Sequence, residues 1–366
     1  MRTRWIVAVA ALVACRGGAA EQATPQSSFA ALVADLSEPG GYFDTDNLIS
    51  NERSYLHVLG RLERMGVRGG AYIGVGPDQN FSYIAEIAPS IAYIIDIRRD
   101  NLLQQLLFKA LFTLGRNRAE YLALLLGRAP PTPLEQWDTV GIAGLVAYIG
   151  TVNRPLEGER TIRARVDSVV LSFGVPLSTS DLSTIDRFHR TFIDAGLSLK
   201  FHSTGRAPRF YYPTYRELLL EHDLDGRQAS YLATEVRYRV VRALQLADRI
   251  IPVVGDLAGP HAMQAIGRHA ATVGEQVRAF YTSNVEFYLF RGAQFDRYVE
   301  NVAALPTDDR SVIVRSVFHG TFGTHPLAEP GYYSTQLVQT VTSLLEEVEA
   351  GGIRSYRDLV TKHALR

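Results

Sequence analysis

The chain has 366 residues, of which 46% are hydrophobic and 21% charged, with one cysteine and no formal net charge. This composition excludes disordered, collagen-like and coiled-coil proteins and is sufficient for one large domain or two smaller ones. A single cysteine excludes an internal disulfide framework and a cysteine-based zinc site. The balanced charge argues against a nucleic-acid partner, which would require a basic surface.

The N-terminal residues have the pattern of an export signal. Residues 1–4 are basic, and Trp5 to Val13 is an apolar run that is too short to span a bilayer but fits a signal peptide. The run leads into Leu-Val-Ala-Cys, which ends at Cys15 and resembles the lipobox of bacterial lipoproteins. An ordinary signal peptide cleaved near Ala19 and Ala20 is the alternative.

The lipobox resemblance implies an organisation for the N-terminal part of the chain. Residues 1–15 would be a lipoprotein signal peptide with lipidation at Cys15, and residues 16–28 a flexible tether. The acyl chains would hold the protein on a membrane of the bacterial cell envelope, facing the periplasm or the cell exterior.

A strand–helix–strand–helix pattern follows. Ala71 to Gly76 and Ala92 to Ile97 are short apolar strands, and between them Pro77 and Asp78 start a helix that ends at Ile87. Continuous apolar strands alternating with helices predict a buried parallel sheet.

Residues from about 115 to 247 are predicted to be mainly helical and to form a large helical insertion. Within it, the stretch from Leu156 to Phe173 is ambiguous, because a strand near Val166 to Leu171 also fits the pattern.

The alternation of strands and helices then resumes. Three more strands are predicted, at 249–256, 276–284 and 310–317, and closing helices at 333–349 and 356–363. Together these elements predict that residues 29–366 form an α/β domain with a doubly wound, mostly parallel sheet.

The strand ends carry glycines and polar side chains, at the edge where doubly wound sheets bind ligands. In chain order they are Gly74 and Gly76, Asp96, Asp256, Ser283 with Asn284, and Phe318 with His319. This order resembles class I S-adenosylmethionine-dependent methyltransferases with their Rossmann-like fold.

The resemblance implies a role for several of these residues. Gly74 and Gly76 would form the cofactor loop, Asp96 would hold the ribose hydroxyls, and Asp256 would lie near the adenine. Ser283 and Asn284 would face the methyl group, and S-adenosylmethionine would be the cofactor.

Further candidates come from the residues themselves. Gln79 and Asn80 begin the first helix of the sheet and could bind a ligand carboxylate or phosphate, or cap the helix locally. Glu286 and His319 could act as general bases, and Asn284 could orient a nucleophile. No spacing of histidines or carboxylates indicates a metal site.

Two positions depart from the methyltransferase pattern. The acid that the family has two residues before its first glycine is replaced by Tyr72, and the small residue expected after Gly76 is replaced by Asp78. The dinucleotide fingerprint also lacks its third glycine, where Gln79 stands, which disfavours NAD.

Longer stretches resemble an uncharacterised bacterial family that includes predicted lipoproteins with a methyltransferase-like fold. They are residues 42–55, residues 72–83 continuing into 95–101, and residues 280–286. This resemblance covers most of the mature chain and implies a fold rather than a reaction.

Residues outside the strand ends could also form part of a pocket. Asn51, Glu52 and Tyr55 could fold over its mouth or form a helix cap and a solvated face. The pairs 211–212 and 332–333 are tyrosines that could line an aromatic pocket or pack in the core.

Three functions are compatible with the sequence. The first is a membrane-anchored lipoprotein whose methyltransferase-like domain has no established activity; the second is an active S-adenosylmethionine-dependent methyltransferase; the third is a non-catalytic envelope protein that binds a partner. S-adenosylmethionine is a cytosolic compound. An exported chain would therefore have lost the cofactor or would bind another small molecule at the strand ends, unless the lipobox interpretation is wrong.

We predict that the protein isolated from its host carries a diacylglyceryl or triacyl group on Cys15, because the lipobox directs lipidation to that thiol. Mass spectrometry of the N-terminal peptide measures this modification. An intact, unmodified Met1 in the mature protein would contradict export.

Overall fold

The computed structural model describes residues 28–154, 156–206 and 209–362. The predicted signal peptide, Cys15 and residues 16–27 of the predicted tether lie outside these ranges. No helix within them is both long and apolar enough to cross a membrane.

The described chain contains a six-stranded sheet with the strand order β3-β2-β1-β4-β5-β6. Its strands are β1 (Ala71–Val75), β2 (Ile91–Asp96), β3 (Ile250–Val254), β4 (Val277–Ser283), β5 (Val312–Phe318) and β6 (Ser334–Thr340). Neighbouring strands from β1 to β5 are parallel, and β6 runs antiparallel to β5. The prediction of an α/β fold with a mostly parallel sheet is therefore confirmed.

The helices pack around this sheet. They are α1 (Phe29–Leu36), α2 (Leu59–Arg64), α3 (Gln79–Ile87), α4 (Arg99–Leu114), α5 (Arg118–Leu125), α6 (Ile142–Thr151), α7 (Leu156–Ser172), α8 (Thr179–Ala195), α9 (Tyr215–Leu220), α10 (Glu235–Leu246), α11 (Ala262–Thr272), α12 (Val285–Arg291), α13 (Phe295–Ala303), α14 (His319–Phe322), α15 (Val341–Glu349) and α16 (Tyr356–Thr361). Short 3-10 helices occupy Arg53–Leu56, Leu134–Asp138 and Gly196–Ser198.

One strand was missed in the sequence. Residues 334–340 were predicted to begin the helix at 333–349, but they form β6, and the helix starts at Val341. Because β6 pairs with β5 along its whole length and is buried on both faces, it lacks the alternation that marks a half-exposed strand. Pairing with β5 outweighs the local helical pattern.

The ambiguous stretch at 156–173 is the helix α7, and the alternative strand near Val166 to Leu171 does not form. Val166 and Val170, one helical turn apart, are buried, whereas Leu171 is 58% exposed. This spacing places one apolar stripe of α7 against α4. Helices α5 to α10 lie in chain order between α4 and β3.

The helix α4 connects the sheet to these additional helices. It contacts β2 and β3 and also α7, α8 and α10. Its apolar residues face all directions, and Leu106, Phe108 and Phe112 are among those with no exposed surface. A helix that is apolar on all sides is stable in water only when it is covered on all sides.

Asp78 links the first helix of the sheet to the helical region. Its carboxylate accepts hydrogen bonds from the hydroxyls of Tyr215 (2.9 Å) and Tyr231 (3.2 Å). Although it occupies the N-cap position of α3, its side chain does not cap that helix. Burial raises the pKa of Asp78 to about 6.

We predict that the Asp78 carboxyl makes the protein less stable as the pH rises. Its pKa is higher in the folded state than the ordinary 3.8, so between about pH 4 and pH 6 only the folded state holds this proton. The free energy of unfolding of wild type, relative to Asp78→Asn, should therefore fall by about 3 kcal/mol over that range and then level off.

Urea unfolding of both proteins at several pH values measures this difference. Asp308→Asn is the matched control with the opposite sign, because hydrogen bonds and charge from Arg278 hold the pKa of Asp308 low despite partial burial. The prediction is contradicted if the difference in the free energy of unfolding between wild type and Asp78→Asn does not change with pH.

Candidate ligand-binding site

A cavity of about 540 Å³ opens at the carboxyl ends of β1 to β5. Its volume lies within the range of small-molecule sites, and it lies where the strand order reverses between β1 and β4. Five of the residues predicted to bind cofactor or to act in catalysis line it, namely Gly76, Gln79, Asp96, Asp256 and Asn284. The structure thus brings together residues that are up to 208 positions apart in the sequence.

The turn after β1 is closed by Asn80. Its amide nitrogen donates to the carbonyl oxygens of Val75 (2.9 Å), Gly76 (3.3 Å) and Pro77 (2.8 Å). Gly76 has a φ of +86°, in the region that favours glycine. Asn80 is fully buried and holds the turn, and it does not line the cavity.

Gly74 lies inside β1 and is not part of the cavity wall. The hydroxyl of Tyr72 donates to the side-chain oxygen of Asn80 (2.8 Å), and this pair occupies the space where a side chain at position 74 would lie. Gly74 therefore makes room for the side chain of Tyr72. Burial raises the pKa of Tyr72 well above its ordinary value.

Asp96, at the end of β2, is paired with Arg98. Arg98 donates from Nη2 to Oδ2 (2.8 Å) and from Nε to Oδ1 (3.0 Å), and its backbone nitrogen also donates to Oδ1 (2.9 Å). The neighbouring Arg99 donates to Asp181 instead. One carboxylate oxygen, Oδ2, accepts a single bond and can accept another from a ligand hydroxyl.

Asp256 lies in the turn between β3 and α11, where its carboxylate accepts from the backbone nitrogen of Ala258 (2.9 Å). The neighbouring Glu38, which the sequence analysis missed, accepts from the backbone nitrogens of Asp256, His261 and Ala262. The carboxylate of Glu38 therefore fills the N-terminus of α11, and an anionic ligand group cannot use that helix end.

Among the three predicted catalytic residues, only Asn284 lines the cavity. It precedes α12, and within the described chain its side chain forms no hydrogen bond. Its neighbour Ser283 has a φ of +53°, which is unfavourable for a residue other than glycine. The end of β4 therefore presents a free amide next to a strained backbone position.

Glu286 points away from the cavity into a buried ion pair. Its carboxylate accepts from Arg315 Nε (2.7 Å) and Nη2 (3.1 Å) and from the Tyr298 hydroxyl (3.0 Å). Both charged side chains are 1% exposed. These contacts indicate a structural role for Glu286.

His319 lies on α14, and its Nε2 is 2.7 Å from the hydroxyl of Thr335. The adjacent Phe318 and Gly320 line the cavity, whereas His319 does not. Burial, with a smaller contribution from the charge of His325, lowers its pKa. Within the described ranges, no group of three or more histidine, cysteine or acidic side chains is arranged to hold a metal ion.

Aromatic side chains form much of the cavity wall. Tyr211 and Tyr212, weighed in the sequence as pocket residues, belong to it, and Tyr333 stacks on Tyr211 at 4.5 Å between ring centroids. The other aromatic lining residues are Phe43, Phe201, Phe287, Tyr288, Phe318 and Tyr356. They come from separate segments, so no local spacing could have identified them.

The cavity contains charges of both signs. Arg206 pairs with Asp44 (2.7 Å), and Arg98 pairs with Asp96. Arg209 and Arg291 are exposed at the cavity and form no ion pair within the described chain. Their positions favour a ligand with an acidic group.

Glu52 is a further functional candidate at this site. It lines the cavity and is only 1% exposed, contrary to the solvated face considered for it. Asn51 also lines the cavity, whereas Tyr55 is buried and donates to the carbonyl oxygen of Leu218 (2.9 Å).

Comparison with known families identifies the chain. The profile of a domain of unknown function, DUF7790, matches residues 48–129 and 202–365, about two thirds of the chain, and the protein belongs to this family. The matched segments contain Glu52, Gly76, Asp96, Asp256 and Asn284. The unmatched residues between them include α6, α7 and α8. No curated protein matches the sequence.

We predict that Glu286→Ala lowers the free energy of unfolding by about 3–5 kcal/mol, because it leaves the buried Arg315 without a counter-charge. Replacing both partners with methionine should recover much of this loss, since neither charge then remains buried. Urea unfolding measures both effects.

Glu346→Ala, at an exposed position on α15, serves as the control and should change stability by no more than about 0.5 kcal/mol. A Glu286→Ala protein as stable as wild type would contradict the structural role.

Proposed function

We propose that the protein binds a small nucleoside-containing molecule in this cavity, and that S-adenosylmethionine is the first ligand to test. The observation that carries the proposal is that the loop glycine Gly76, the strand-end acids Asp96 and Asp256, and the amide of Asn284 line one cavity. Each lies at the strand end that the methyltransferase resemblance assigns to cofactor or substrate.

The chemistry of the wall supports such a ligand. Asp96 retains acceptor capacity for ribose hydroxyls, and the aromatic rings offer flat surfaces on which a base can stack. Gly76 lets the backbone approach the ligand closely. The open cavity argues against a purely structural envelope protein with filled strand ends.

An active methyltransferase is the second candidate, and the free amide of Asn284 at the end of β4 favours it. Two observations favour ligand binding over methyl transfer. Glu286 forms an ion pair with Arg315. Arg98 occupies most of the carboxylate of Asp96, which stands where methyltransferases bind the ribose.

We further propose that the chain is an exported lipoprotein, lipidated on Cys15 and held on a membrane of the cell envelope. The basic and apolar N-terminal residues followed by the lipobox support this proposal. In that compartment the ligand would have to be available outside the cytoplasm. A different nucleoside or another small molecule at the same site is therefore included in the proposal.

We predict that S-adenosylmethionine binds the full chain with a Kd of about 1 mM or tighter, equivalent to about −4 kcal/mol. Asp96→Asn and Asn284→Ala should each weaken binding about tenfold, because each removes a polar group from the ligand's surroundings. Isothermal titration calorimetry of the detergent-purified protein measures the three affinities.

Asp308→Asn is the control, since Asp308 pairs with Arg278 at the opposite edge of the sheet and should leave the affinity unchanged. Thermal melting establishes that each variant is folded. The absence of heat from wild type at millimolar ligand would refute the proposed ligand, and undiminished binding by Asp96→Asn would refute the role of Asp96.

A further inference from the structure

Glu52 forms an unusual buried carboxylate site. It directly precedes the short 3-10 helix Arg53–Leu56, which contacts β6. Its side chain lines the cavity although it is 99% buried. It is therefore reachable from the cavity but shielded from bulk water.

Its hydrogen-bond partners are all neutral. Oε2 accepts from the Tyr281 hydroxyl (2.5 Å), the Ser316 hydroxyl and Gln336 Nε2 (3.1 Å), and Oε1 accepts from the Ser283 hydroxyl. Within the described chain, no arginine, lysine or histidine forms an ion pair with Glu52. The other fully buried carboxylate in this region, Glu286, has Arg315.

A buried carboxylate without a cation is costly, because neutral donors offset only part of the lost hydration. Oε1 accepts one bond and can accept another. The donors come from β4, β5 and β6 and orient the carboxylate without neutralising it. Such a group attracts a cation from the cavity.

An independent observation indicates a missing donor at the same wall. Gln79 is 94% buried and lines the cavity, and its side-chain oxygen has no hydrogen-bond partner. Gln79 and Glu52 both line this cavity. Gln79 Oε1 thus lacks a donor and Glu52 Oε1 can accept a second one, so a ligand could supply donors to both.

The opposite charge is available at the cavity mouth. Arg209 donates to the Tyr211 hydroxyl (2.6 Å), and Arg291 lies over the Phe287 ring at 5.5 Å from its centroid. Neither has an acidic partner within the described residues. A ligand with both a cationic and an acidic group would match both regions of charge.

We infer that Glu52 and Gln79 bind the protonated amine of a zwitterionic ligand, whose acidic group is held by Arg209 and Arg291. This inference rests on the proposed function in requiring that the cavity bind a small molecule, but it does not require a nucleoside. It assigns to the site a substrate class, amino-acid-like compounds with a free amine.

Three related probes separate the two charges. L-Methionine carries both groups, methylthiopropylamine carries only the amine, and methylthiobutanoate carries only the acid. All three share a thioether, which makes favourable contacts with aromatic rings such as those of the wall. Ligand-observed NMR with the full chain measures their binding at millimolar concentration.

The test variant is Glu52→Gln. Its carbonyl oxygen can accept from Tyr281, Ser316 and Gln336 while its amide donates to Ser283, so the surrounding network is kept. The matched control is Glu120→Gln, a buried carboxylate that pairs with Arg116 outside the cavity. Arg291→Gln tests the acidic end.

Glu52→Gln should weaken methionine and methylthiopropylamine at least about tenfold, equivalent to about 1.4 kcal/mol, and should not weaken methylthiobutanoate. Arg291→Gln should weaken methionine and methylthiobutanoate but not the amine. Glu120→Gln should bind all three probes as wild type does.

The inference is overturned if wild type binds neither amine-bearing probe, or if Glu52→Gln affects the amine and the acid equally or not at all. If the amine pattern holds but S-adenosylmethionine fails to bind, the nucleoside proposal falls and the Glu52 assignment stands. If S-adenosylmethionine binds and Glu52→Gln does not weaken its binding, the nucleoside proposal stands and the Glu52 assignment falls.

Discussion

The reversal of the crossover direction between β1 and β4 is the constraint on which the candidate site depends. The chain extends the sheet from β1 to β2 and β3 on one side and from β4 to β5 and β6 on the other. Right-handed crossovers then place the helices that follow β1 and β4 on opposite faces. The space at the strand ends stays open, and residues from distant segments converge on it.

Glu52 and Glu286 are both buried near these strand ends, but in different surroundings. Glu286 is matched by Arg315 and acts as a fixed part of the core, whereas Glu52 is surrounded by hydroxyls and an amide. The first arrangement leaves no charge to act on a ligand. The second leaves one, and it lies on the cavity wall. The presence or absence of a cationic partner therefore distinguishes a structural acid from a binding candidate, which position in the sequence does not.

The sequence predicted the features that local patterns encode. Continuous apolar runs identified β1 to β5, and their ends identified Gly76, Asp96 and Asp256 as neighbours of the cavity. It did not identify β6, because pairing with β5 rather than local propensity defines that strand. Nor could it select Glu52, whose donors lie 229 to 284 positions away.

Ser283 combines a strained backbone with a hydroxyl that binds Glu52. Glycine would relieve the left-handed conformation but would remove one of the donors that orient the carboxylate. A substitution that relaxes the backbone at this position therefore loosens the carboxylate of Glu52. At Ser283 the backbone remains strained, and the serine hydroxyl helps to orient the carboxylate of Glu52.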